Sequence, residues 1–416
     1  MNETNSVKNP GRREFLHSMG KASLGLAAAA GMGAAPLSGS EGKPAPLGKP
    51  DPLERPDPVL DPQAPLNIGM IGRTGHTYEV FRHLDEIPGA RITAHAFEDG
   101  DWEFNCDGTG RGAGKQYDMG PMRKWAEGQE WFGAHTSLYE TYQEMLDKEK
   151  KLDLVVVCLP YARNPFAASA AARRGIHIFS EKPVAVNYPD LEMLETALSQ
   201  GRARLSAMFG MRTSPTIAAI RRGVTDGLVG RPILGRAQKS YRFGAERPWF
   251  YKHREIYGGT ILWAGIHALD FVRWTMGLEV VKVAAMHGNL AHPGYPGCQD
   301  SSVVMMELEG GAQASVTADY LRPAQAPTHG DDRLRVIGSG GVLETRDLNS
   351  RVELITHGQG PKDVQLPVKK ISLFADFAGS LRGLNAHLIG PDEAVRVTRI
   401  AIAATEAADT GVFVRV

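Results

Sequence analysis

Leu152-Asp153-Leu154-Val155-Val156-Val157-Cys158-Leu159 is an almost unbroken apolar run. A run this short, without alternation, is what a parallel strand covered on both faces requires. On its C-terminal side, Pro165 to Arg174 reads as a helix with proline at its start and Gly175 just past its end. Ile176–Ser180 is the next strand, Asp190–Gln200 the next helix and Leu205–Phe209 another strand. On its N-terminal side, Leu66–Ile71 is a strand ending in Gly72. His76–Ile87 is predicted as a helix with Val80, Phe81, Leu84 and Ile87 on one face. Arg91–Phe97 is a second strand, and Ser137–Lys148 a helix opened by the capping pair Ser137 and Glu140. Strands alternating with helices in this way predict a doubly wound parallel sheet of the dinucleotide-binding, Rossmann type.

After about residue 215 the rhythm changes. Gly235–Phe243, Val280–His287, Ser301–Leu308, Gln313–Asp319, Leu334–Ile337 and Val352–Thr356 all read as strands, with Glu309-Gly310-Gly311-Ala312 as a hairpin turn. One apolar helix, Thr260–Met276, lies among them, and a helix near Glu393–Ala408 closes the chain. The fold class is α/β: an N-terminal Rossmann domain plus a C-terminal α+β domain with an open, mostly antiparallel sheet. The dinucleotide-binding unit is placed at 66–185. Residues 186–416 hold the rest of that domain and the α+β domain.

The chain has 416 residues, enough for two domains. Lys plus Arg and Asp plus Glu are both 47, so the formal charge is zero, which argues against a nucleic-acid partner. Cys106, Cys158 and Cys298 are too few and too scattered for a disulfide framework or a zinc cluster, and no metal site has a motif behind it. Arg12-Arg13 follows a polar start and precedes a mildly apolar stretch, Ala22 to Ala35, rich in alanine and glycine. That order predicts a twin-arginine signal peptide over 1–35, hence a periplasmic or extracellular protein handled by the export machinery. Eight prolines between Pro44 and Pro65 mark 36–65 as a linker.

Two constellations carry the chemistry. Gly72, Arg73, Thr74, Gly75 and His76 form the turn from the first strand, where a backbone bare of Cβ atoms can approach a pyrophosphate. The strict spacing would put glycines two and five residues after Gly72, and Thr74 and Thr77 stand there instead. Glu98 and Asp99 end the second strand, and either could accept from the ribose hydroxyls, with Glu98 preferred. An acid there favours NAD over NADP, although Arg73 could serve a 2′-phosphate. The glycine-rich stretch Asp107–Gly114 lacks the strand and helix of a phosphate loop and reads as a surface loop. Ser180-Glu181-Lys182-Pro183 leaves another strand end, where an ammonium can stabilise an alkoxide and Pro183 can fix the turn. On the apolar helix, Trp263, His267, Asp270 and Trp274 fall at spacings of four, three and four, which places them on one face. Tyr241, Arg242, Trp249, Tyr251, His253 and Tyr257 lie near enough in sequence to line a sugar site or to face solvent.

In IGMIGRTGH at 68–76, LDLVVVCLP at 152–160, GIHIFSEKP at 175–183, GGTILWAGIHALDFVRWTMG at 258–277 and HGDDRLRVIGSGGVLE at 329–344, the chain resembles the Gfo/Idh/MocA oxidoreductases. That is the family of glucose–fructose oxidoreductase and inositol dehydrogenase. The resemblance implies a bound nicotinamide cofactor, NAD or NADP, and carbohydrate or cyclitol substrates. It makes Lys182 the catalytic lysine, His267 the catalytic histidine and Glu181 a residue beside the nicotinamide ribose. Pro160 takes part in the cofactor site, and an open sheet face suits a homo-oligomer. The sequence departs from the family pattern at Trp263, where many members carry Asp, and at Pro160-Tyr161-Ala162-Arg163-Asn164, where Pro-Asn-x-x-His is usual. An indole can donate but cannot hold an imidazole as a carboxylate does, though it can form a platform for a sugar face. Trp263, His267, Asp270 and Tyr241 are the expected substrate residues.

The expected activity is hydride transfer from a secondary alcohol to a tightly held cofactor, with His267 accepting the hydroxyl proton and Lys182 stabilising the alkoxide. Redox-neutral epimerisation, elimination or glycoside cleavage is the alternative enzyme reading. A non-catalytic sugar-binding protein that keeps the fold is the rival from another class.

Overall fold

The computed structural model describes residues 59–98, 132–133, 135–367, 372–390 and 392–416. The expected signal peptide, most of the linker, Asp99, Cys106 and the Asp107–Gly114 stretch lie outside the described residues.

Six parallel strands form the first sheet: β1 (Leu66–Gly72), β2 (Ala90–Ala96), β3 (Ser137–Tyr139), β4 (Leu154–Cys158), β5 (His177–Ser180) and β6 (Leu205–Ala207). They lie in the order β3-β2-β1-β4-β5-β6, so the chain reverses direction of growth between β1 and β4. Ligands of such sheets bind at that switch point, outside the carboxyl ends of the strands. β4 is buried along its whole length, as its unbroken apolar run requires.

Two expected helices are corrected. The segment after Gly75 forms only a four-residue helix, Tyr78–Phe81, and then a 3-10 turn, Leu84–Glu86, with i→i+3 bonds such as His83 N–H to Val80 O and Ile87 N–H to Leu84 O. Pro88 then ends it. Ser137 opens no helix. It pairs with Ala94 in the sheet, and the helix Tyr142–Lys148 is capped by Thr141, whose hydroxyl accepts from Glu144 N–H at 3.2 Å. Both serine/threonine-x-x-glutamate spacings fit a cap; strand pairing takes the first.

Nine strands form the second sheet: β7 (Pro232–Tyr241), β8 (Val280–Gly288), β9 (Ser301–Leu308), β10 (Gln313–Asp319), β11 (Gly330–Gly338), β12 (Gly341–Arg346), β13 (Arg351–Thr356), β14 (Gln359–Asp363) and β15 (Val414–Arg415). Only β7 and β10 pair in parallel. Along β9 and β10 buried and more exposed residues alternate, so one face packs and the other shows Val303 and Met305.

The helices Pro215–Thr225 and Leu373–Leu381 were not legible in the sequence pattern. The second returns the chain to the first sheet, where the Phe374 and Phe377 rings lie 5.2 and 6.0 Å from Phe179 of β5. Each of these buried rings contributes about 1.5–3 kcal/mol of hydrophobic stabilisation. The long helix Glu393–Thr410 packs on β8 and on the helix Tyr188–Ser199, which ties the two sheets together. No helix among the described residues is long and apolar enough to cross a membrane.

Candidate active site

The carboxyl ends of β1, β4 and β5 lie side by side. Gly72 stands opposite Cys158, and Val157 opposite Ser180, so the glycine turn, Pro160 and the Glu181-Lys182 pair share one edge. Gly72 and Gly75 both adopt positive φ, +68° and +83°. A Cβ on Gly75 would stand 2.3 Å from Glu181 Oε2, and one on Gly72 would stand 2.5 Å from the Cys158 carbonyl oxygen. Glycine is therefore required at both.

Glu181 is fully buried and clamps this turn. Its carboxylate accepts from His76 N–H at 2.7 Å and lies 2.8 Å from His76 Nδ1, and it accepts from the Lys182 backbone N–H at 3.1 Å. Burial alone would raise its pKa, but the positive charge and hydrogen bonds of His76, with Lys182, bring it below the ordinary value. Thr74 N–H donates to the Cys158 carbonyl at 2.7 Å. The N–H groups of Gly75 and Thr77 have no acceptor among the described residues. Two open backbone donors on a turn bare of side chains, at the switch point and next to Arg73, fit a dinucleotide phosphate group. The following helix is only one turn long and lends little dipole to that site.

Glu98 ends β2 and is 1% exposed; one carboxylate oxygen accepts from Tyr142 N–H at the start of the next helix. Pro160 is buried and leads into a 3-10 turn, Tyr161–Arg163. Asn164, noted in the sequence only as part of a departure, holds the edge together. Its Oδ1 accepts from Leu159 N–H at 3.1 Å, and its Nδ2 donates to the carbonyls of Glu181 (3.3 Å) and Pro183 (3.2 Å). The Lys182–Pro183 peptide is cis.

Lys182 leaves this edge and reaches the apolar helix. That helix begins as a π turn, Ile261–Gly265, and continues as an α-helix, Ile266–Met276. Lys182 Nζ donates to the Trp263 carbonyl at 2.7 Å and lies 3.9 Å from the centre of the indole ring. His267 stands one turn further on, 6% exposed, with its Nδ1 buried and unpartnered. The histidine feels the charge of the lysine. Burial first, then the charge of Lys239, pushes Lys182 down to about 7, against the pull of Glu181. Burial first, then Lys182, Lys239 and His76, holds His267 well below its ordinary range. At neutral pH the imidazole is therefore an uncharged proton acceptor, and the lysine is close to its own midpoint.

Trp263 joins the two halves of the site. Its ring stacks on His76 at 6.4 Å, on Tyr161 at 6.1 Å and on Tyr320 at 6.3 Å, and Tyr241 lies 6.1 Å away. Behind them Tyr251 and Tyr257 stack at 4.0 Å and are core residues, not solvent-facing ones. Asp270 does not join the site. It is fully buried and accepts from Arg212 Nε at 3.0 Å, and Arg212 also reaches Glu393. Trp274 lies under the guanidinium groups of Arg212 and Arg221. Helical spacing put these residues on a common stripe, but the side toward the helix Glu393–Thr410 takes the last two.

Lys239 was not anticipated. It is 3% exposed on β7, ion-paired with Asp332 across the sheet at 2.8 Å, and lies 4.9 Å from the Tyr241 ring centre. Strand alternation puts it on the inward face of β7 with Gly235 and Ala237, but nothing local marks Asp332 as its partner. Among the described residues no cluster of His, Cys, Asp or Glu could hold a metal ion.

Residues 120–209 match the family model for the oxidoreductase NAD-binding Rossmann fold, and 217–344 match the model for the Gfo/Idh/MocA C-terminal domain. The first match omits the glycine turn. A solved Thermotoga maritima structure with a provisional oxidoreductase name is 34% identical, with TM-score 0.74, covering 84% of this chain and 100% of that one. The aldose-aldose oxidoreductase of Caulobacter crescentus is 20% identical with TM-score 0.66, covering 85% of this chain and 100% of that one, which speaks for the fold alone. The myo-inositol 2-dehydrogenase of Thermotoga maritima is 27% identical over 54% of this chain and 65% of its own. The chain spans about 60% of the length of the curated relatives it matches.

Proposed function

The chain belongs to the Gfo/Idh/MocA oxidoreductase family, and from that premise we propose that it oxidises a secondary alcohol of a carbohydrate or cyclitol with a tightly held nicotinamide cofactor. The supporting observation is the meeting of Lys182, from the carboxyl edge of the Rossmann sheet, with the helix that carries His267. Gly72, Arg73, Thr74, Gly75 and His76 would hold the pyrophosphate, and Glu98, Pro160 and Glu181 would border the ribose and nicotinamide. When bound, the nicotinamide supplies the hydride acceptor. The residues of the chain do the rest. Lys182 donates a hydrogen bond to the substrate oxygen and stabilises negative charge as it develops there. His267, uncharged at neutral pH, takes the hydroxyl proton. Trp263 and Tyr241 offer aromatic faces to the ring of the sugar, and Glu181 fixes the glycine turn relative to Lys182.

The acid at position 98 favours NAD as the cofactor. The twin arginines support export with the cofactor already bound, to be checked by fractionating cells that produce the full chain. The exposed sheet face with Met286, Val303 and Met305 supports a homo-oligomer. The deciding experiment denatures the purified protein and looks for released nicotinamide by absorbance and mass. Bound cofactor that a sugar reduces is the expected result. Protein without cofactor would make it a sugar-binding module instead, and cofactor that cycles without net reduction would make it a redox-neutral enzyme.

A further inference from the structure

The aromatic cluster beside Trp263 carries unneutralised positive charge. Arg247 is 8% exposed, with its guanidinium 4.4 Å from the Tyr320 ring centre and 5.4 Å from that of Phe243. Among the described residues its one side-chain hydrogen bond runs from Nη2 to the Arg242 carbonyl, and its buried Nε has no acceptor. Arg242 likewise has a buried Nε with no acceptor among the described residues. Neither guanidinium has a carboxylate within ion-pair distance among the described residues. The other buried arginines are treated differently. Arg212 is met by Asp270 and Glu393, Arg273 by Glu279 and Glu393, and Arg382 by the carbonyls of Ala64 and Pro88.

The two guanidinium groups belong to the same locality as the candidate active site. Tyr320 stacks on both Trp263 and Tyr241, at 6.3 Å in each case, and His329 lies 5.0 Å from Tyr241. Burial first, then the charges of Arg247, Arg242 and Lys239, holds His329 below its ordinary range, with Asp332 alone opposing. Contact with aromatic faces offsets part of the cost of burying Arg247, but leaves its Nε unsatisfied.

We propose that the substrate carries a carboxylate and that Arg247 and Arg242 bind it, which makes the substrate class sugar acids rather than neutral sugars or polyols. The inference rests on the activity proposed above and narrows it. Two planar guanidinium forks beside an aromatic cluster suit a planar monoanion. A phosphate, with nearly two charges and three acceptor oxygens, would call for more donors than this locality offers.

The test is binding to the full-length protein by calorimetry and tryptophan fluorescence, which needs no turnover. The probes are D-glucuronate, D-galacturonate and D-gluconate, each against its neutral parent sugar, with D-glucose 6-phosphate as the phosphate probe. At least one acid should bind about ten- to a hundredfold more tightly than its parent. Added salt should shrink that preference and Arg247→Met should remove it, while Arg247→Lys, which keeps the charge and so guards against loss of fold, should retain part of it. Neutral sugars binding as well as the acids, a preference for the phosphate ester, a preference unchanged in Arg247→Met, or no acid binding at all would each overturn the proposal. Failure of the redox reading shows separately, as absence of nicotinamide in denatured protein.

Discussion

Replacing Lys182 by methionine keeps most of the side chain's length and removes one buried charge. Burial, with Lys239 adding to it and Glu181 opposing, takes the ammonium from 10.5 to about 7. At about 1.4 kcal/mol per tenfold change, a protonated lysine at this position costs about 4 to 5 kcal/mol of stability near neutrality. The substitution also removes the hydrogen bond to the Trp263 carbonyl and the contact with its ring, together about 1 to 3 kcal/mol. The cost exceeds the loss, so Lys182→Met should be more stable than the native chain by about 1 to 4 kcal/mol at pH 6 to 7. The sign must change with pH. Between about 7 and 10.5 the unfolded lysine holds a proton that the folded one has released, so native stability rises across that window and the variant's does not. Near pH 10 a neutral amine still donates to the Trp263 carbonyl, and the native chain should be the more stable. Urea unfolding of both proteins at pH 6.5 and at pH 9.5 checks this, alongside turnover, which the variant should lose. A variant destabilised equally at both pH values would refute the reasoning, because the lysine would then carry no desolvation cost.

His267→Asn should lower kcat by about a hundred- to ten-thousandfold while the nicotinamide content of the purified protein, read by mass, stays the same. Asp270→Asn keeps one oxygen that can accept from the fully buried Arg212 but removes its buried counter-charge, leaving Glu393 as its carboxylate partner among the described residues; thermal or urea unfolding should show about 3 kcal/mol of destabilisation, with turnover per folded molecule unchanged. Gly75→Ala forces a left-handed backbone on alanine and drives its Cβ into Glu181; stability should fall by about 1–3 kcal/mol, and copurifying nicotinamide should disappear.

How far the fold could be read depended on where the information lay. β4 is legible because a strand covered on both faces must be apolar throughout, and β9 and β10 because a sheet with one open face must alternate. Leu373–Leu381 was missed because its apolar residues acquire meaning only against Phe179, far away in the chain. Ser137 and Thr141 offered the same capping signal, and only the pairing of β3 with β2 separates them. The site divides in the same way. Lys182 is legible because a polar residue at the end of a buried strand has few places to go but the crevice. Asp270 was misplaced because periodicity states which helical stripe a residue shares but not that Arg212 waits opposite. Asn164 and Arg247 left no local signal, since each is defined by its partners across the fold, and for Lys239 alternation along β7 gives the inward face but not the partner Asp332.

Trp263 gives these observations a common cause. A carboxylate one turn before His267 would favour the charged forms of both the histidine and Lys182. The indole offers a ring face and its carbonyl, with no negative charge, so burial dominates at both groups, the charge of Lys239 adds to it, and both titrate low. Glu181 pulls the other way, but burial and Lys239 outweigh it, and no second negative charge acts on the ammonium among the described residues. A substrate carboxylate held by Arg247 and Arg242 would bring one in, because an anion bound in the cluster that surrounds Trp263 opposes the repulsion from Lys239 and raises the lysine's affinity for its proton. Substrate would then favour the charged form of the lysine, so the ammonium would be supported where it has an alkoxide to stabilise.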